Sequence, residues 1–392
     1  MNKAGDYYMV FNFKRKTIII ASVVCIGVCG AIGGTVAGIY CTGQYTVSDM
    51  QTESLSQSTS AESIQESAGE SNVEESVQSQ TTESQTEEKK EFIKYVEFNV
   101  TYAALEKALQ IDIKSHEENA EVKISWIDLL AYLGAKYGGD FSKYQSSDMD
   151  TLVDKLQSGE TMESLSEGMQ YYAYYSKAYT AVLGGLVGDY QIETTSENGE
   201  TVWQDKYGLI AYSPIAKNYP FEHYDDFGAQ RTYGYKRQHL GHDLMAQTGT
   251  PVIAIESGIV EAVGWNQYGG WRLGIRSLDG TRYYYYAHLR QNRPYAEGIE
   301  EGKVVKAGDV IGYVGHTGYS TKENANNIEV PHLHLGMQLI FDESQKESSN
   351  EIWINLYPLT MLWEKHKSEV YRVDETKEYY RKYNIRIPGI ND

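Results

Sequence analysis

The chain has 392 residues, with 54 acidic against 35 basic side chains and a formal net charge of −19. This balance excludes nucleic acid as a partner, because phosphate binding needs a basic footprint. About half of the net charge falls between Ser48 and Glu91, so the remainder is only mildly acidic. The three cysteines, Cys25, Cys29 and Cys41, sit in or beside one apolar stretch. A disulfide framework and a thiolate metal site are thereby excluded from everything downstream, where any metal must use His and carboxylate ligands. The 34 tyrosines against 8 phenylalanines point to polar clefts or half-buried faces rather than an oily interior.

Residues 17–40 are apolar or small and carry no charge. At about 1.5 Å per residue such a run crosses the ~30 Å hydrocarbon core of a bilayer. Lys14, Arg15 and Lys16 precede it and an acidic stretch follows, which by the positive-inside rule leaves the N-terminus cytoplasmic. The rival is a cleaved signal peptide, but the run is long for one and no small-x-small site followed by a polar break stands out. Tyr40 before Cys41 also speaks against a lipoprotein site. The expectation is a cytoplasmic tail (1–16), an uncleaved transmembrane helix (17–41) and an extracytoplasmic remainder at the cell membrane. Gly30, Gly34 and Gly38 share one face of this helix and could dimerise it, although glycine is common in membrane helices.

Residues 42–91 are expected to be a disordered tether. From residue 46 on they are rich in Ser, Thr, Gln and Glu and lack aromatics, so they cannot bury enough apolar area to offset chain entropy.

A small helical domain is expected over 92–205. Ser125 caps a helix with Asp128 three residues on, Ile127, Leu130, Leu133 and Tyr137 follow helical spacing, and Gly138-Gly139 ends it. A second helix is expected over 148–156 and a third over 162–186. The third carries Tyr171, Tyr172, Tyr174, Tyr175 and Tyr179, read as helix packing in preference to a carbohydrate or peptide platform.

From about Tyr207 the texture changes to short strands and glycine turns. Residues 252–255 and 258–263 are expected to be paired strands. Residues 271–276 and 281–288 flank the hairpin signal Asp279-Gly280, and 303–312 hold another turn-linked pair. The fold class is thus α+β: an antiparallel β domain over 206–346, the helical domain before it, and a helical extension over 347–392.

Seven of the nine histidines fall between residues 223 and 334. His332 and His334 are two apart in a strand context, so they project from one face about 6.5–7 Å apart. They could both be ligands of one small site, or one ligand and one base; a solvated face is the plain alternative. In His239-Leu240-Gly241-His242-Asp243 a carboxylate follows a histidine by four. On a straight strand that is ~13 Å, too far to share a metal, so the chain must bend, and Gly241 can supply the bend. His242 and His316 are read as structural or solvent-facing.

In order, His239-x-Gly-x-Asp243, Tyr286-Ala287-His288 and His332-x-His334 resemble the lysostaphin/LytM-type peptidoglycan endopeptidases, zinc metallopeptidase family twenty-three. Gly249-Thr250-Pro251-Val252, Gly264-Trp265-Asn266-Gln267-Tyr268-Gly269-Gly270 and Lys306-Ala307-Gly308-Asp309-Val310-Ile311-Gly312 add to the resemblance, which covers roughly 207–345. It implies a LytM-like β domain with a duplicated hybrid motif and one zinc ion ligated by His239, Asp243 and His334. His288 and His332 become the catalytic histidines, and Tyr233 a transition-state donor. The activity implied is hydrolysis of peptide bonds in peptidoglycan stems or cross-bridges. The alternative is a non-catalytic LytM-like scaffold or activator in cell division or sporulation. The family's short connection before its His-x-His strand is lengthened here around residues 321–329, which bears on substrate access at the cleft rim.

Overall fold

The computed structural model describes residues 92–390 apart from Tyr235 and Glu347. The expected tail, membrane span with its glycine face, and tether lie outside the described residues. Among the described residues no helix is long and apolar enough to cross a membrane.

Helices come first: α1 (Tyr102–Ser115), α2 (Trp126–Tyr137), α3 (Ser146–Gln157), α4 (Met162–Ser166) and α5 (Tyr172–Leu183). The reading of α2 holds at both ends. Ser125 accepts a hydrogen bond from the Asp128 amide, and Gly138 closes the helix in the left-handed conformation (φ +64) that favours glycine. The single helix expected over 162–186 is two. Gly168, at φ +77, follows α4 and turns the chain, and α5 starts afresh at Tyr172. Its tyrosines are largely packing groups: Tyr179 is fully buried edge-on to Phe98, while Tyr171 is exposed.

Strands also begin earlier than expected. β1 (Val187–Thr195) and β2 (Thr201–Leu209) form a hairpin, so the boundary drawn at 205/206 falls inside β2. Its strands bury little, and without a buried face their alternation is faint.

There follow β3 (Phe221–Tyr224), β4 (Gln230–Arg231), β5 (Arg237–Gln238), β6 (His242–Ala246), β7 (Pro251–Ile253), β8 (Gly258–Asn266) and β9 (Gly270–Ser277). Then come β10 (Arg282–Ala287), β11 (Val304–Val305), β12 (Val310–Tyr313), β13 (His332–Leu339) and β14 (Ile352–Trp353). The main sheet is antiparallel, in the order β11-β8-β9-β10-β13-β6-β3, with β14 also on β13. The expected helical extension holds one short helix, α6 (Tyr357–Trp363), and then short strands β15 (Val370–Arg372), β16 (Tyr379–Arg381) and β17 (Ile385–Arg386). β17 pairs with β1, and backbone pairing of this kind shapes the tail more than its own periodicity does.

The sheet has two unlike faces. Leu273, Ile275, Tyr284, Tyr286, Leu333, Leu335 and Met337 point to one side and are buried, in one continuous apolar cluster with Leu105, Leu129 and Val182 of the helices. Helices and sheet therefore share a core. Arg282, 1 % exposed, ties them further: its guanidinium donates to the Ala181 carbonyl at the end of α5 and to Glu256. The alternate residues, Arg272, Gly274, Tyr283, Tyr285, His332, His334 and Gln338, belong to the other face, where a cavity of ≈ 730 Å³ runs over the sheet.

Candidate active site

Register does the first part of the assembly. β6 and β13 are antiparallel neighbours in which Asp243 stands opposite His334. Both side chains therefore rise from one face, on adjacent strands. His239 is not on β6 but just before it, in a segment fixed by its amide to the Ala229 carbonyl and its carbonyl to the Gly228 amide. Only Asp243 of the pair is on the strand, which removes the ~13 Å separation of a straight strand. Gly241 is required for a further reason: a Cβ there would lie 2.4 Å from Cε1 and 2.6 Å from Nε2 of His334.

His239 Nε2, Asp243 Oδ1 and His334 Nδ1 converge. The separations are 2.8 Å between the two nitrogens, 3.1 Å from His239 to Asp243 and 3.0 Å from His334 to Asp243. His239 and Asp243 are buried and His334 half-buried. Three donor atoms at such spacing fit one small cation. The edge of a tetrahedron with zinc bonds of about 2.0–2.1 Å is only slightly longer, about 3.3 Å, and two imidazoles with one carboxylate match the donors zinc takes.

The cluster polarises its own members. Burial opposes ionisation of Asp243, but hydrogen bonds from His239 and His334 outweigh it and hold the carboxyl well below its usual range. Burial likewise disfavours the charged form of His239, yet its bonds to Asp226 and Asp243 raise it to about 9. His334 is lowered, chiefly by burial.

Asp226 was not anticipated from the sequence, and no motif marks it. Its Oδ1 stands 2.8 Å from His239 Nδ1, and Arg231 pairs with its other oxygen while reaching to 3.6 Å from Asp243 Oδ2. A carboxylate behind the ring of a ligand histidine fixes tautomer and orientation.

His288 and His332 stand next to the three, with their rings 4.8 Å apart and edge to face. Each offers Nδ1 to a backbone carbonyl, His288 to Thr317 at 2.9 Å and His332 to Val330 at 2.8 Å. A carbonyl can only accept, so Nδ1 carries the hydrogen in both and Nε2 keeps its lone pair. His288 holds this pose in a left-handed backbone conformation (φ +59), and burial, with the neighbouring histidines, pushes its pKa well down. His332 Nε2 is 3.8 Å from Asp243 Oδ2.

Tyr233 stands apart from this group. It is 37 % exposed, stacks on Tyr319 at 4.9 Å and packs edge-on to Tyr268. Of the three, Tyr268 and Tyr319 line the cavity. Tyr319 comes from the lengthened connection, which is tied down by Tyr319 N–H to the Tyr268 carbonyl and by Trp271 Nε1–H to Asn324 Oδ1. His242 turns into the protein, with Nε2 bonded to His223 Nδ1, and His316 bonds the Ile328 carbonyl.

Residues 237–348 match the sequence profile of peptidase family M23, so this segment is an M23 domain. Over 155 residues, 39% of this chain, the sequence is 38% identical to the L-Ala–D-Glu endopeptidase of Bacillus subtilis. Over 98 residues, 25% of the chain, it is 40% identical to lysostaphin of Staphylococcus simulans. These matches span 43% and 17% of the two relatives' own lengths. The catalytic domain of the same lysostaphin aligns in structure with 31% identity and a TM-score of 0.29, over 36% of this chain and 92% of that one.

Proposed function

We propose that the protein is an extracytoplasmic zinc metalloendopeptidase that cuts peptide bonds in the stems or cross-bridges of peptidoglycan. The observation that carries this reading is the convergence of His239 Nε2, Asp243 Oδ1 and His334 Nδ1 beside two histidines whose Nε2 lone pairs are free to take a proton. The M23 domain supports it, as does a relative named for cleavage between L-Ala and D-Glu.

His239, Asp243 and His334 would hold the zinc. Bound there, zinc supplies Lewis acidity, which lowers the pKa of a coordinated water toward about 7. His332 is the first candidate for proton acceptor: its Nδ1–H is anchored on Val330, leaving Nε2 open toward Asp243. His288, held neutral by burial and anchored on Thr317, can take up at Nε2 the proton released by the attacking water and pass it on to the departing amine. Tyr319 and Tyr268 form the cavity wall on the side of the lengthened connection. Residues 17–41 would anchor the chain in the membrane and 42–91 would give the domain reach into the wall.

The test is mass spectrometry of fragments released from purified peptidoglycan by the zinc-loaded full chain, beside His332→Ala. New amino termini are expected with the wild type and at least ~100-fold fewer with the variant, at equal metal content. A wild type that holds zinc and releases nothing would leave the scaffold as the better reading.

A further inference from the structure

The active-site cavity extends past the metal-binding residues, and one strand supplies two arginines to its face of the sheet. Arg276 is saturated: it bonds Glu261 at 2.9 Å, Glu343 at 2.9 Å and the Gly280 carbonyl at 2.7 Å. Arg272, four residues before it on β9, lines the cavity half-buried and has no side-chain hydrogen bond or ion pair among the described residues. A guanidinium withdrawn from water without a partner is unfavourable, and proteins keep few such groups.

Its position relative to the three converging residues follows from register. Asp243 is opposite His334, His334 is opposite Ala287, and the β9–β10 pairing carried one step past Leu273↔Tyr286 sets Ala287 opposite Arg272. The four residues form one cross-strand row on the cavity face. Arg272 is therefore two strand spacings, about 9.6 Å, from His334 along the row, and Tyr285, on the same face two residues before Ala287, sets its ring 5.9 Å from that of His334. An extended peptide rises about 3.3 Å per residue, so that span is about three residues.

None of the acids that line the cavity pairs with this cation among the described residues. Glu261 is held by Arg276 and Lys346, and Glu351 accepts from Trp353 Nε1. Asp243 is committed to His239 and His334. What Arg272 meets instead are phenols: Tyr285 and Tyr295 lie within its field, and Tyr295 donates to its backbone carbonyl at 2.7 Å. The site is a planar double donor with an aromatic wall, the chemistry that receives a carboxylate.

We propose that Arg272 is a specificity determinant that receives a free carboxylate of the substrate within about three residues of the scissile bond, so that the groove selects an anionic stem peptide over a neutral one. The inference rests on the peptidase reading above.

The experiment uses the zinc-loaded full chain and two stem tetrapeptides that differ only in one glutamyl α-carboxyl, free in one and amidated in the other. The wild type should cleave the free-acid peptide with kcat/KM about 10- to 100-fold higher, the range of a charge-assisted hydrogen bond. Arg272→Met should bring the two peptides within about twofold of each other by loss on the acid alone, and Arg272→Lys should restore part of the preference. Because the Arg272 side chain has no hydrogen bond or ion pair among the described residues, the variants should keep the wild-type Tm and zinc content, which separates recognition from folding. Equal cleavage of both peptides by the wild type, or an equal loss on both in Arg272→Met, overturns the inference and leaves the peptidase reading standing. Cleavage of neither peptide, nor of whole peptidoglycan, removes both.

Discussion

Asp226 Oδ1 faces His239 Nδ1 at 2.8 Å, on the side of the ring opposite the Nε2 that meets Asp243 and His334. Neither atom makes a directed hydrogen bond, so what this oxygen supplies is negative charge behind the imidazole. Arg231 holds the remaining oxygen. Asp226→Asn keeps the shape and removes the charge that favours Nδ1–H. Partners of this kind are worth about 10- to 100-fold in metal affinity, and a loss of that size is expected in a zinc competition titration with a chromophoric chelator. Affinity unchanged within twofold would show that the ring is held by its backbone alone.

Gly241→Ala probes the same centre from the other side. The new methyl would stand 2.4 Å from Cε1 of His334 and 2.8 Å from the Leu335 carbonyl. The carbonyl cannot move far, since Leu335 is fully buried and paired with His242 across β6 and β13. The His334 ring must swing, so zinc affinity and activity should both fall by more than about tenfold. Retained zinc with lost activity would instead mean that the strand yields and the ring stays.

How much of this was legible follows from where each contact comes from. His239, Asp243, His288, His332 and His334 fall in short motifs, and spacing alone left the ligand and base roles of His332 and His334 open. Their hydrogen bonds in the structure differ: His334 turns Nδ1 to Asp243, while His332 turns Nδ1 to Val330. Asp226 and Arg231 reach the site from segments that meet it only in three dimensions, so no local pattern marks them. The caps of α2 were readable because Ser125 and Gly138 satisfy backbone groups locally. The break between α4 and α5 was not, because Met162, Leu165, Met169 and Tyr172 keep a helical spacing across Gly168 and mask the turn. The β1–β2 hairpin had a turn signal in Asn198-Gly199, but exposed residues such as Val202, 38 % exposed, give its strands no buried alternation.

Arg282 links the helices to the sheet, and its removal should be felt in stability. It is 1 % exposed and bonds Glu256 through two nitrogens while Glu256 also accepts from Tyr284. Arg282→Met leaves the Glu256 carboxylate without its cation and the Ala181 carbonyl without its donor. Breaking a buried pair in this way costs about 3–5 kcal/mol, to be read from denaturant unfolding. A loss below about 1 kcal/mol would mean that water reaches Glu256 in the variant.

The last prediction concerns pH and a histidine remote from the active site. His366 stacks on Tyr212 at 3.9 Å and offers Nδ1 to the Ala211 carbonyl at 2.9 Å. Burial, with Lys206 nearby, lowers its pKa below 6.5 in spite of that bond. A histidine with a depressed folded pKa stays neutral in the fold while the unfolded chain takes up a proton. Its contribution to stability is therefore whole above pH 6.5 and is lost as pH falls from 6.5 toward the folded value. His366→Phe keeps a ring on Tyr212 but cannot titrate, and it leaves the Ala211 carbonyl unpaired at about 1 kcal/mol. Thermal melts from pH 7.5 to 5 should show the variant less stable at the upper end and the gap to wild type narrowing on acidification. Parallel curves would place the acid sensitivity in other groups.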